Sequence, residues 1–264
     1  MAHDDRADAI LAAFAEQRSI APLTDAEPAL SVEDAYAIAG GVHARRVRRG
    51  ERPVGRKIGF TNRSIWREHK APIWAYVYDS TLRRATDGAE VPVGNLLQPR
   101  IEPEIQLHFA KAPPVTDDAA EILDCVDWIA NGFEIVQSPY PDWRFGTADA
   151  VAACGLHGLL VVGVPVPVGD IDDCEAKIAS FTITMSRNGE PETTGGGAAV
   201  LDSPLLAFAH LTRVLADQPG AEPVRAGEIV TTGTLTQALP ASPGETWSTE
   251  LEGIELPGIS VTLV

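Results

Sequence analysis

The sequence is short of cysteine, of positive charge and of long apolar runs, and each shortage removes a class of protein. Its three cysteines, Cys125, Cys154 and Cys174, are far apart in 264 residues and no CxxC occurs. An odd, scattered set gives neither a disulfide framework nor a zinc knuckle, so a reducing cytoplasm is the expected setting. Lys and Arg number 21 against 37 Asp and Glu, a net charge of −16. Such a chain repels nucleic acid and anionic membrane surfaces, and neither is an expected partner. An anionic substrate would need a local positive centre, from a metal ion or a well-placed Lys or Arg. No stretch has the length of a membrane span, and the opening MAHDDRADAI lacks the apolar run of a signal peptide. Internal repeats and low-complexity tracts are also missing, which excludes a solenoid.

What is present is globular. Hydrophobic residues make up 45%, with Gly and Pro spread along the chain, enough for a sizeable core in one large domain. Residues 4–18 pattern as a helix, with Ile10, Leu11 and Phe14 on one side. Ser31 and Asp34 resemble a capping box opening a second helix that stops near Gly50. Arg45, Arg46, Arg48 and Arg49 then read as a solvated helix end. After Gly50 short strands are expected at 54–60, 74–78, 100–109, 132–137, 158–163, 177–187, 228–234 and 258–264. Helices are expected at about 117–130, 147–156 and 203–217, with Thr147 and Ser203 as N-caps. Asn188-Gly189 signals a hairpin, and 193–200 and 239–246 read as loops. Many strands with few helices between them predict an α+β fold round a large mixed sheet or rolled barrel. Residues 1–50 are expected to form a helical segment and 51–264 the main domain.

The stretch RIEPEIQLHF, residues 100–109, alternates polar and apolar. Glu102 and Glu104 therefore share a strand face, roughly 7 Å apart at Cα. Alone, that pattern is equally an ordinary wet face, and Pro103 suits an edge or a bulge. A third acid, Glu134, is the single charge in the apolar strand NGFEIVQS. It must reach water at an edge, a cation or a metal. In VGRKIGF, Lys57 stands between Gly55 and Gly59 on one face, so a ligand or another backbone can come close to it. Three carboxylates without a His or Cys pattern suit a hard, oxygen-loving ion, Mg²⁺ or Mn²⁺.

Taken in order, VGRKIGFTN, LLQPRIEPEIQLHF, FEIVQS with PDW, and GEIVTTGTLT resemble the fumarylacetoacetate hydrolase superfamily. Within it they resemble the 2-keto-4-pentenoate hydratase and 4-oxalocrotonate decarboxylase branch, over about residues 30–264. The resemblance implies a mixed β-roll, usually in homodimers or larger homo-oligomers, acting on open-chain 2-oxo acids from aromatic-ring degradation. It implies Glu102, Glu104 and Glu134 as ligands of Mg²⁺ or Mn²⁺ and Lys57 in the pocket. The 231–234 stretch, with Thr232 and Thr234, would border the substrate carboxylate, and Asp79 would be an acidic pocket residue. One departure stands out. The branch carries an Asp-Asn pair where this chain has Ala153-Cys154, with His157 shortly after. His157 is then either a pocket acid/base or, as the favoured reading, a helix-end histidine satisfied by backbone carbonyls.

These features predict a metal-dependent hydratase of a 2-oxo-alkenoate, with Lys57 stabilising the developing enolate and Asp79 or water carrying protons. A decarboxylase ranks second because no Arg is evidently placed for a second carboxylate. A C–C hydrolase using Glu68 and His69 ranks third. Trp74, Tyr76, Tyr78 and Trp143 are expected to give the pocket an apolar far end. The retained glutamates and lysine argue against a non-catalytic subunit.

Overall fold

In the computed structural model, which describes residues 3–62, 72–85 and 89–264, three helices precede the first strand. They are α1 (His3–Ala15), α2 (Leu23–Ala26) and α3 (Val32–Arg48). Ser31 caps α3 as expected, accepting from the Asp34 amide at 3.0 Å. Of the arginines at the other end, Arg48 and Arg49 are exposed as expected, whereas Arg45 and Arg46 are half-buried in ion pairs. Ala7 and Ile10 of α1 share a buried cluster with Ala35, Ile38 and Val42 of α3, which brings the acids of α1 to the bases of α3. Arg45 pairs with Asp4 and Asp8 at 3.0 and 2.6 Å, while Arg46 pairs with Glu51 at 2.7 Å and covers the Tyr78 ring.

The strands are β1 (Pro53–Gly59), β2 (Ile73–Tyr78), β3 (Leu82–Arg84), β4 (Ala89–Val91), β5 (Arg100–Phe109), β6 (Val126–Val136), β7 (His157–Val162), β8 (Val166–Pro167), β9 (Thr182–Arg187), β10 (Glu190–Gly196), β11 (Ile229–Thr231), β12 (Leu239–Pro240), β13 (Thr246–Glu252) and β14 (Ser260–Leu263). Among the described residues they form a large sheet, ordered β2-β1-β11-β5-β6-β7-β3 with β12 on β5 and β8 on β6, and a smaller one, β10-β9-β13-β14-β4. Pairs β1–β11, β3–β7 and β4–β14 are parallel and the rest antiparallel, so the sheets are mixed and curled, an α+β fold. Ile101, Phe133, Ile135 and Val161 of the large sheet pack against Met185, Trp247, Val261 and Leu263 of the small one. The remaining helices are α4 (Ala119–Leu123), α5 (Thr147–Ala152), α6 (Cys174–Ser180) and α7 (Pro204–Asp217). Capped by Ser203, α7 buries Leu205, Phe208 and Leu211 against Ile105, Leu107 and Phe109 of β5. Contrary to expectation, the run Gly197–Asp217 is long and apolar enough to cross a membrane; most of it is buried in this core.

Several expected boundaries moved, for reasons of pairing. The helix expected at 117–130 shrinks to α4, because residues 126–130 are captured by β5, with Ile129 opposite Leu107. The run 177–187 divides into α6 and β9. Half of the loop expected at 193–200 is strand β10, joined to β9 through Asn188 and Gly189 at φ values of 53° and 87°. The N-cap of α5 is Gly146, with Thr147 its first residue.

Two features of the large sheet place the site. Pro103 lies in a central strand, not an edge. On its non-β6 side, β11 ends at Gln106 and β12 begins at Ile101. A loop fills that gap, sending Thr232 N to Ile105 O at 3.1 Å and Leu235 N to Pro103 O at 2.9 Å. Proline's missing N–H breaks no ladder there. Gly55 of β1 faces Ile229 of β11, and a Cβ at Gly55 would lie 1.9 Å from the Ile229 carbonyl oxygen. The close neighbour of Gly55 is thus another backbone. Gly55→Ala is expected to destabilise the fold by about 1–3 kcal/mol, measured by urea unfolding. Unchanged stability would show that β1 and β11 separate freely.

Candidate metal centre

The odd residues of β5 face the core, so the even residues Arg100, Glu102, Glu104 and Gln106 face the other way. Glu102 stands directly opposite Glu134 of β6, and Glu104 opposite Gly132. This register gathers the three glutamates: one carboxylate oxygen from each lies within 4.8 Å of the others. Glu102 is half-buried; Glu104 and Glu134 are buried. Strand β1 delivers Lys57 from two strands away, through pairing with Thr231. Its Nζ lies 2.9 Å from Glu134 Oε2 and donates to Gly155 O at 3.0 Å.

Each buried glutamate has its own support. Thr231 Oγ1 and Gly233 N donate to Glu104 Oε2, the second at 2.9 Å. Glu104 Oε1 is buried without a hydrogen-bond partner among the described residues. His157 Nδ1 lies 2.8 Å from Glu134 Oε1, and its Nε2 lies 2.9 Å from Thr81 Oγ1. His157 is thus no helix-end histidine on backbone carbonyls: a bulge between Ile135 and Val136 sets it opposite Val136, where the ring meets Glu134.

The charges do not balance. Ionised, the three carboxylates carry −3, and Lys57 is the one Lys or Arg in contact with them among the described residues. Burial and the neighbouring Glu134 push Glu102 up to about 7, against the pull of Lys57 and Arg100. Burial and both other glutamates hold Glu104 well above the usual range. For Glu134 burial is outweighed by Lys57 and His157, which keep it low. For Lys57 burial is outweighed by the three glutamates, which hold it charged. A residual charge of −2, an orphaned oxygen on Glu104 and an all-oxygen donor set fit a hard divalent cation.

Other expected site residues lie elsewhere. Asp79 does not join the cluster. It sits past the end of β2 with its carboxylate turned to Arg52, accepting from the Arg52 backbone N and Nε at 3.0 and 2.9 Å. Thr232 is fully buried and spends its hydroxyl on Ile105 O at 3.0 Å, which leaves no donor for a substrate. Thr234 Oγ1, by contrast, is buried without a partner among the described residues. Trp74, Tyr76 and Tyr78 do line a cavity of about 670 Å³, with Tyr36, His43 and Cys154. The pairing of Lys57 with Ala75 puts Trp74 and Tyr76 on the opposite face of β2, where Arg56 covers both rings. Trp143 instead carries the Arg100 guanidinium, 4.3 Å from its ring centroid. Ala153 packs in the helical cluster. Glu68 and His69 lie outside the described residues.

Residues 42–257 match the family described as fumarylacetoacetate (FAA) hydrolase C-terminal. The chain belongs to the fumarylacetoacetate hydrolase family. Among its family relatives, 2-hydroxyhexa-2,4-dienoate hydratase of Comamonas testosteroni is 35% identical over 262 residues, covering 95% of this chain and 94% of that protein. A 2-keto-4-pentenoate hydratase of Paraburkholderia xenovorans is 31% identical over 255 residues, covering 95% and 91%. In structure, the chain is similar to 4-oxalocrotonate decarboxylase from Pseudomonas putida G7 complexed with magnesium and adipate. The TM-score is 0.90 at 26% identity, covering 99% of this chain and 97% of that one. The same enzyme complexed with calcium and acetate matches at 0.88.

The raised value of Glu102 has a stability consequence in metal-free protein. Between its ordinary range and about 7, the folded state holds a proton that the unfolded chain has released. Raising the pH through that window therefore works against folding. Thermal melts of metal-free protein at about pH 5 and pH 8 are expected to show a lower Tm at the higher pH. The fall is expected to be smaller in Glu102→Gln and to be recovered at the higher pH by excess Mg²⁺. An unaltered pH slope in the variant would remove Glu102 as its source.

Proposed function

We propose that the protein is a divalent-metal-dependent lyase that hydrates a 2-oxo-alkenoate, a 2-hydroxypenta-2,4-dienoate-like compound in aromatic-compound degradation. The observation that carries this reading is the buried cluster of Glu102, Glu104 and Glu134 facing Lys57, in a chain similar to two hydratases over nearly its whole length. The three glutamates would hold Mg²⁺ or Mn²⁺, which would supply Lewis acidity toward the carbonyl and carboxylate oxygens of the 2-oxo acid.

The chain's own residues supply the rest. Lys57, buried and cationic, stabilises the negative charge that develops on the substrate when the dienol is protonated to the conjugated enone and water adds at the far end of the alkene. The buried Thr234 hydroxyl is the donor available to the substrate carboxylate. Thr231 and the Gly233 amide hold Glu104 in place. Water carries the protons, because Asp79 is committed to Arg52.

One observation favours decarboxylation as a second reading. Arg100, on the Glu102 face, is half-buried and makes no ion pair among the described residues. A guanidinium there suits a second, distal carboxylate. With Mg²⁺ and a 2-hydroxyalka-2,4-dienoate, the expected product is the 4-hydroxy-2-oxo acid, followed by mass spectrometry. Release of CO₂ from a 2-oxo diacid with no hydration of the monoacid would overturn hydration in favour of decarboxylation. Lys57→Met is expected to lower kcat by roughly 10²-fold with ion affinity kept. Lost ion affinity with normal kcat at saturating Mg²⁺ would make Lys57 a structural counter-charge. Arg100→Leu is expected to leave kcat/KM for an uncharged-tail substrate within a few-fold; a drop confined to diacids would support the second reading.

A further inference from the structure

Both sides of the Lys57–Glu134 contact are held by one short segment. Gly155 accepts from Lys57 Nζ through its carbonyl at 3.0 Å, and two residues later His157 meets Glu134 Oε1 at 2.8 Å. The turn that carries them is left-handed. Cys154, Gly155 and Leu156 have φ values of 55°, 62° and 62°. Two of the three carry a Cβ, and consecutive left-handed residues of that kind persist only where the surroundings impose them. Here the surroundings are on both flanks. Ala153 is buried in the helical cluster and donates to Asp149 O at 2.9 Å, and Leu156 O accepts from Gln137 N at 2.8 Å.

The ring of His157 is equally confined, with its side chain 1% exposed. A bond from Nδ1 to a carboxylate needs a proton on Nδ1 whatever the ring's charge. With Oε1 tied in this way, Glu134 has one place left for Oε2. That place is 2.9 Å from Lys57 Nζ and beside the oxygens of Glu102 and Glu104. Remove the tie, and a buried carboxylate is free to rotate onto the lysine with both oxygens.

We infer that His157 is a positioning residue of the site. It acts through Glu134, never on the substrate, and with the Gly155 carbonyl it keeps the carboxylate and the Lys57 ammonium in fixed separate places. This rests on the metal-dependent reading above. Hydrogen bonds that orient a ligating carboxylate are worth about 10–100-fold in metal affinity or activity.

The alternative is that His157 only stabilises the fold through Thr81, which also accepts from Tyr78 N at 3.2 Å. The two roles use different ring nitrogens, so two amides separate them. Asparagine carries an N–H near the position of Nδ1; glutamine reaches toward that of Nε2. Mg²⁺ affinity by calorimetry and steady-state kinetics are compared for the unaltered protein, His157→Asn, His157→Gln and His157→Ala. Loss of about 10–100-fold in Mg²⁺ affinity is expected for Gln and Ala, with Asn within a few-fold of the unaltered protein. Gly155→Ala is expected to keep the affinity and lower kcat, because its Cβ would lie 3.0 Å from Lys57 Cδ. If His157→Ala does not fold, the Asn–Gln comparison decides. Equal affinities in Asn and Gln, or Gln retained with Asn impaired, overturns the proposal and leaves the metal reading standing. No Mg²⁺ binding by the unaltered protein overturns the metal reading, and this proposal with it.

Discussion

Among the described residues three glutamates share a buried space with one lysine, a configuration that cannot be neutral by itself. Isolated carboxylates leave water at a cost of several kcal/mol each, and the single ammonium compensates one of them. Glu134 takes that compensation, being in contact with Lys57 and His157. Glu102 and Glu104 do not, which is why both are held above the ordinary carboxylate range. The structure therefore either stores two protons there or holds two positive charges. Much of the surrounding architecture is arranged so that the second is possible. Thr231 and Gly233 occupy one oxygen of Glu104 and leave the other open. His157 occupies one oxygen of Glu134, whose other oxygen faces Lys57.

The sheet is what makes so unfavourable a cluster constructible. The odd face of β5 is anchored by Ile101, Ile105, Leu107 and Phe109, all fully buried. That apolar anchoring fixes the strand's register, because a one-residue slip would exchange the two faces. The glutamates follow as a consequence of the hydrophobic pattern. Lys57 is fixed in the same manner, since Gly55 lets β1 lie against the β11 backbone. The polar site depends on apolar packing on the other side of the same strands.

How much of this could be read from the sequence divides along a physical line. Alternation in 100–109 gives the face shared by Glu102 and Glu104, and the isolation of Glu134 among apolar neighbours marks it as needing a partner. Both are local signals of period two. What pairs with what is not local. The register that sets Glu102 against Glu134 spans a turn and a helix. Trp74, Tyr76 and Tyr78 were expected at the pocket from their closeness in sequence, yet the face they take depends on the pairing of Ala75 with Lys57. Asp79 was close in sequence to that strand and was drawn away by Arg52, a residue on a different segment. His157 was the plainest miss. Local rules for a histidine after a helix favour backbone carbonyls, whereas the left-handed turn at 154–156 and the bulge at Ile135–Val136 bring its ring to Glu134. The pairing of ACGLHG with a lone acidic residue in a neighbouring strand was the one available hint.

The central claim is that the cluster binds a divalent cation through all three glutamates. The most direct measurement is an anomalous difference map from crystals grown with Mn²⁺, an ion whose scattering identifies it. The expected result is one strong peak within coordination distance of an oxygen from each of Glu102, Glu104 and Glu134. A map with no peak there, and Lys57 as the sole cation against the three carboxylates, would contradict it.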